Sequence, residues 1–306
     1  MDRITACAAL LLTICPGGTV SAQGTQPGAT ETLRHLYISA SGKGGAPVAD
    51  LTAADLVVKE DGRRLEVVGL ERATAPLRVA LLVDDSGPGL RFIREGAGLF
   101  IQRLGGLGEI ALFSIGGRNT AIVDFTGDVA ALYQGVRQLT TRTTTGAYLL
   151  DGVHDAIEAL GSRDAERPVL VVLMLEGPEF SSVRADRLLD ELRRSRAVLH
   201  VVSLGKPTLK TMTAWSQMPT DSLRENLDEN INRKKFVEDG TRMSGGRFAQ
   251  VLVDSGIPGA MQAVAEDLAA QYVVVFRRPG GSPAKKITVT ASRGDVRVRV
   301  RAEAAR

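Results

Sequence analysis

Cysteine is nearly missing from this sequence. Its two cysteines, Cys7 and Cys15, both fall near the amino terminus, so the rest of the chain has no disulfide, thiolate nucleophile or cysteine metal site. Histidine is equally scarce. His35, His154 and His200 stand far apart, with no His-x-x-x-His spacing to suggest a zinc centre. Aromatics amount to 4%, so a core must rest on Val, Leu, Ile and Ala. The few Tyr and Phe are not interleaved with a basic stripe, and the net charge of +3 is mild. Nucleic acid is therefore not an expected partner. There is no Gly-x-Ser-x-Gly elbow, no P-loop spacing and no paired Asp-x-Asp, which removes the common hydrolase and phosphoryl-transfer signatures.

The first residues instead carry a targeting pattern. Arg3 precedes an uncharged apolar run from Ile4 to Ile14, and Val20-Ser21-Ala22 supplies small residues for cleavage. That order predicts a secretory signal peptide over residues 1–22. The run is shorter than the roughly 20 apolar residues that span a bilayer, and no later stretch is apolar enough to do so. The expected location is secreted or periplasmic, with no transmembrane segment after cleavage. Residues 23–32, rich in Gly, Thr, Ala and Pro, read as a linker.

From Leu33 the side chains alternate, and residues 33–76 read as a β segment with Glu60-Asp61-Gly62-Arg63 as a hairpin turn. The pattern changes over residues 77–270. Val79 to Val83 and Val169 to Leu175 are continuous apolar runs, as expected of strands buried on both faces of a parallel sheet. Helical patterns separate these and further strands, and parallel strands need such crossovers. The fold class is therefore α/β, with a doubly wound, mostly parallel sheet. Lys206 to Asn230 is polar, contains the sole tryptophan, Trp215, and reads as a long loop before a helix from Ile231 to Met243. Residues 271–303 are β again, and pairing with the N-terminal segment into one small β domain would satisfy both. In the last strand Val296, Val298 and Val300 face a core. Arg297, Arg299 and Arg301 face away, most simply onto solvent.

Open parallel sheets bind ligands just past the carboxyl ends of their strands. The residues there are Asp84-Asp85-Ser86-Gly87-Pro88, Thr143 to Ala147, and Glu176-Gly177. The run Val79 to Gly89, then Gly146 to Gly152, then Val171 to Gly177 resembles the von Willebrand factor A domain. Asp50 to Leu56, Glu60-Asp61-Gly62, Met243 to Arg247, Gln271-Tyr272 and Lys286 to Val289 are similar, in order and spacing, to the exported "VWFA-related" family typical of Acidobacteria.

The resemblance implies a Rossmann-like domain with a metal-ion-dependent adhesion site, where Asp-x-Ser-x-Ser, a Thr and a distant Asp hold one divalent cation. Asp84 and Ser86 match that pattern. Pro88 and Ala147 stand where hydroxyls are expected, and Glu176 replaces the last Asp. Magnesium demands near-octahedral oxygen ligation, so the implied site is degenerate. It would hold Mg, Mn or Ca weakly or not at all, through Asp84, Ser86 and Glu176. Asp84 and Ser86 would serve equally as helix caps. Asp85, Thr145, Tyr148 and Trp215 are the expected partner contacts.

The expected function is that of an exported, non-enzymatic interaction or adhesion module for a protein or extracellular polymer. The alternative is a metal-free structural or assembly scaffold of the cell envelope. A receiver domain also opens with an acidic pair, but the leader and the long interval from Asp84 to Lys206 argue against one.

Overall fold

The computed structural model describes residues 31–87, 89–141, 146–161, 165–205, 220–279 and 286–301. The segment read as a signal peptide, Pro88, Thr145 and Trp215 lie outside these residues.

The two long apolar runs become β4 (Leu77–Val83) and β7 (Arg167–Leu175), every residue of which is buried. They pair in parallel with each other, and with β5 (Gly108–Ser114) and β8 (Val198–Leu204) on either side. β6 (Thr120–Thr126) adds an antiparallel edge and β9 (Phe248–Val251) a parallel one, giving the order β6-β5-β4-β7-β8-β9. The order reverses between β4 and β7, which defines the switch point of a doubly wound sheet.

Successive side chains of a strand point to opposite faces, and here both faces are covered. Val79, Leu81 and Val83 of β4 pack with α1 (Leu90–Leu104), α2 (Val129–Gln138) and α6 (Ile257–Ala269). Ala80 and Leu82 pack with α3 (Leu149–Gly161), α4 (Ala185–Ser195) and α5 (Thr220–Ser244). The helices obey local chemistry as well. Asp128 caps α2 by accepting from the N–H groups of Ala130 and Ala131. Gly96 lets α6 approach α1, since a Cβ there would lie 3.1 Å from Ile257 Cγ2.

The two terminal β segments meet in a second, antiparallel sheet. Its strands are β1 (Thr32–Ser41), β2 (Leu56–Glu60), β3 (Arg63–Arg72), β10 (Tyr272–Arg278), β11 (Ile287–Ala291) and β12 (Arg297–Val300), in the order β11-β2-β3-β10-β1-β12. Asp61 and Gly62 join β2 to β3 with φ of 47° and 87°, the two positive values that a two-residue type I′ hairpin requires. Leu36, Ile38, Val58, Val274 and Phe276 centre this sheet's own core.

Two expectations need correction. α5 begins at Thr220, well inside the stretch read as loop. Its first turns are mostly polar, with only Leu223 and Leu227 at helical spacing before Ile231, and so weak a pattern is easily read as loop. The arginine face of β12 is also not simply solvated. Arg299 Nη2 lies 2.5 Å from Oδ1 of Asp267 on α6, whose side chain is only 2% exposed, and Arg301 donates to the carbonyl of Arg193. Arg167, at the start of β7, donates to the carbonyls of Ala75 and Leu268 and to Gln271 Oε1. Guanidinium groups thus fasten the antiparallel sheet to the base of the parallel one.

Candidate functional site

The carboxyl ends of β4 and β7 bring Asp84, Asp85, Ser86 and Glu176 to the switch point. β4 stops when Asp84 leaves the ladder, its N–H donating to the Leu173 carbonyl. The Asp84 side chain then closes the turn. Its Oδ1 accepts from the Ser86 N–H at 3.0 Å and from Ser86 Oγ at 2.6 Å, while Oδ2 accepts from the Leu175 N–H at 3.1 Å. Burial pushes the Asp84 carboxyl up, against those hydrogen bonds and the positive charge of Arg233. Asp84 is only 1% exposed, so the group fastens its own turn to the end of β7 whatever else it does.

Asp85 is equally buried and faces inward. Ser114 Oγ donates to its Oδ1 at 2.7 Å, and the chain at Gly116 lies so close that a Cβ would stand 2.4 Å from that oxygen. In this arrangement it is turned away from a partner. Glu176 is one-third exposed but engaged on both oxygens: it accepts from Ser203 Oγ at 3.1 Å and pairs with Arg233 Nη2 at 3.4 Å.

Arg233 is the member that motif reading misses. It stands on α5, its side chain 7% exposed, and also donates to the Gly177 carbonyl at 3.1 Å. In sequence it opens the run Arg233-Lys234-Lys235, which looks like an ordinary solvated helix face. No local signal separates it from its neighbours.

Ala147 occupies the place of the expected hydroxyl. Its N–H donates to the Pro178 carbonyl and its carbonyl accepts from the Phe180 N–H, so this loop is zipped to the one after β7. Gly146 makes the close approach possible, because a Cβ there would lie 2.3 Å from Pro178 O. Glu179 completes the junction. It is fully buried and accepts from the Leu149 N–H and from Ser181 Oγ, capping α3. Burial pushes its carboxyl up to about 7.

The oxygen donors facing the switch point are therefore Asp84, Ser86 and Glu176, and two of these three already have fixed partners besides one another. Alanine offers no donor, and a guanidinium supplies the local positive charge. This set does not fit the near-octahedral ligation that magnesium requires. Among the described residues no cluster of three or more His, Cys, Asp or Glu could hold a metal ion.

The rim is apolar and aromatic. Tyr148, half-buried at the start of α3, packs against Phe180 with ring centroids 6.0 Å apart. Leu252 and Val253, in the turn after β9, are 66% and 60% exposed. Asp254, next in that turn, approaches Gly89 at the start of α1. The sequence reading did not single out this pair.

No protein-family model and no curated protein matches the chain. Solved structures share its layout. The proximal thread matrix protein 1 from the mussel byssus is 15% identical, with 69% of this chain aligned to 50% of that one at a TM-score of 0.49. The chain thus spans about half the length of the byssus protein. The von Willebrand factor domain of the type V pili tip protein Mfa5 from Porphyromonas gingivalis is 13% identical over 64% and 96% of the two chains, with a TM-score of 0.45. A von Willebrand factor type A protein from Catenulispora acidiphila is 10% identical over 92% and 75%, with a TM-score of 0.48. Likeness at this level extends to the general layout only. The α/β class itself, with a doubly wound, mostly parallel sheet beside an antiparallel one, stands on the strand order and matches the expectation from sequence.

Proposed function

We propose that this chain is an exported, non-enzymatic interaction module of the von Willebrand A kind, organised along the segment boundaries read from sequence. Its contact surface is the carboxyl end of the parallel sheet. Tyr148 and Phe180 form one part of that surface, and Leu252 and Val253 form another. The partner is a protein or extracellular polymer.

The observation that carries this reading is the pairing of Glu176 with the buried guanidinium of Arg233. Arg233 supplies the charge that a cation supplies in an adhesion site, so the face is ready for a partner without bound metal. Exposed apolar residues beside a satisfied polar centre favour contact over chemistry. Among the described residues at the switch point, Ser86 Oγ is spent closing the turn on buried Asp84, and Asp85 is held inward by Ser114.

A photo-crosslinking residue placed at Leu252, with a second variant carrying it at exposed Val68 on β3, tests the proposal in the organism's own envelope or medium. Adducts at position 252 that persist in EDTA, and none at 68, are expected. Adducts lost in EDTA would restore a metal-bridged mechanism. Hydrolytic turnover abolished by Asp84→Ala would overturn the non-enzymatic reading.

A further inference from the structure

The other end of the parallel sheet holds a second feature. A cavity of about 630 Å³ opens between β1 and the amino ends of β7 and β8, a volume in the range of small-ligand and peptide sites. Five consecutive residues of β1, Leu33 to Tyr37, line it. Alternate side chains of a strand point to opposite faces, and Leu36 points into the core of its own sheet. An unbroken run of lining residues therefore means that the edge of the strand borders the cavity. The pairing agrees: among the described residues β12 covers β1 only from Ile38 to Ser41, while β10 takes the other edge from Thr32 to Ile38.

The walls are strongly basic. The end of α4 contributes Arg193, Arg194 and Arg196, and Arg34, Arg167, Arg278 and Arg301 complete seven arginines against one lining carboxylate, Glu166. Burial and the charge of that carboxylate push the neighbouring Tyr37 hydroxyl up. Some of the arginines are occupied. Arg278 pairs with Glu60 at 2.7 Å, Arg193 pairs with Asp190, and Arg167 is held by carbonyls. Arg34, Arg194 and Arg196 have no carboxylate partner among the described residues.

We propose that this cleft binds an extended acidic peptide that adds as a strand to the edge of β1 that is unpaired among the described residues. The strand edge offers backbone donors and acceptors in a row, the usual basis of β-strand addition. The arginines select acidic side chains and hold the segment in register. The site is separate from the Asp84 face, at the opposite end of the same sheet.

The test uses fluorescence anisotropy with the full chain and a labelled six-residue peptide of alternating glutamate and valine. Binding that weakens as salt rises is expected, with at least tenfold loss in the Arg34→Glu, Arg194→Glu double variant. Both of these residues are exposed, so the variant should fold, and an unchanged melting curve checks that it does. Two further peptides carry N-methyl groups on alternate amides, one in each register. A paired strand turns only every second N–H toward its neighbour, so one isomer must bind and the other must not. Equal binding by both isomers would show a general anion cleft and overturn strand addition. No binding by the parent peptide, or equal binding by a lysine–valine peptide, would overturn the proposal outright.

Discussion

The two ends of the parallel sheet are built from opposite materials. At the carboxyl end, carboxylates converge, and one arginine and several loop hydrogen bonds satisfy them. At the amino end, arginines converge, and carboxylates are few. Strand polarity explains part of the contrast: the carboxyl end is where loops gather in a doubly wound fold, whereas the amino end receives the second sheet. The comparison shows that charge at a strand end is not by itself a site. What matters is whether a partner within the fold already answers it.

The buried pair at the base gives the largest expected effect. Arg299→Leu leaves Asp267 buried without that guanidinium, and should cost about 3 kcal/mol. Urea melts of the variant measure this directly, and a loss under about 1 kcal/mol would mean that the base tolerates the unpaired charge.

Two buried titrating groups, one toward each end, should then pull stability in opposite directions with pH. His200 on β8 has no hydrogen-bond partner on either ring nitrogen among the described residues, and burial pushes it down to about 4. Its contribution is fully present above the ordinary histidine value and is lost as pH falls from about 6.5 through about 4. Glu179 is pushed up to about 7. Its contribution is complete below the ordinary glutamate value and is lost as pH rises from about 4.5 through about 7. Urea melts stepped from about pH 4 to about pH 8 should show His200→Leu flattening the acid side and Glu179→Gln flattening the neutral side. Identical profiles for both variants and the parent would remove burial as the cause.

The smallest effect is expected at the rim. Leu252→Asp should change stability by no more than about 0.5 kcal/mol, because an exposed side chain loses little on substitution. The same change should abolish crosslinked partner adducts from the neighbouring Val253. A large loss of stability would place Leu252 in packing instead of contact.

The legible parts of this molecule were those with a repeating pattern. Val79 to Val83 and Val169 to Leu175 are apolar at every position because each face of the sheet has its own helix layer, so the parallel sheet could be read without a partner sequence. The hairpin at Asp61-Gly62 was legible because few residues accept two positive φ values in a row. The illegible parts depend on tertiary neighbours. Alternation in β12 shows that Arg299 lies opposite the valines, but not that Asp267 waits on α6. Arg233 sits in a basic run that could equally be solvated, and only the packing of α5 brings it to Glu176. The motif at Asp84 and Ser86 locates the switch point correctly, yet the inward turn of Asp85 depends on Ser114, 29 residues away.

The central claim is that Arg233 replaces a cation at the carboxyl end. The most direct test is thermal melting of the chain in EDTA and then in millimolar Mg²⁺, Mn²⁺ or Ca²⁺, alongside Arg233→Gln. An ion that binds only the folded state stabilises it by RT ln(1 + [L]/Kd) and so must raise the melting temperature as its concentration passes Kd. The account predicts no shift for the parent chain, and a cation-dependent rise only once Arg233→Gln frees Glu176. A rise in the parent chain that Asp84→Ala abolishes would contradict it.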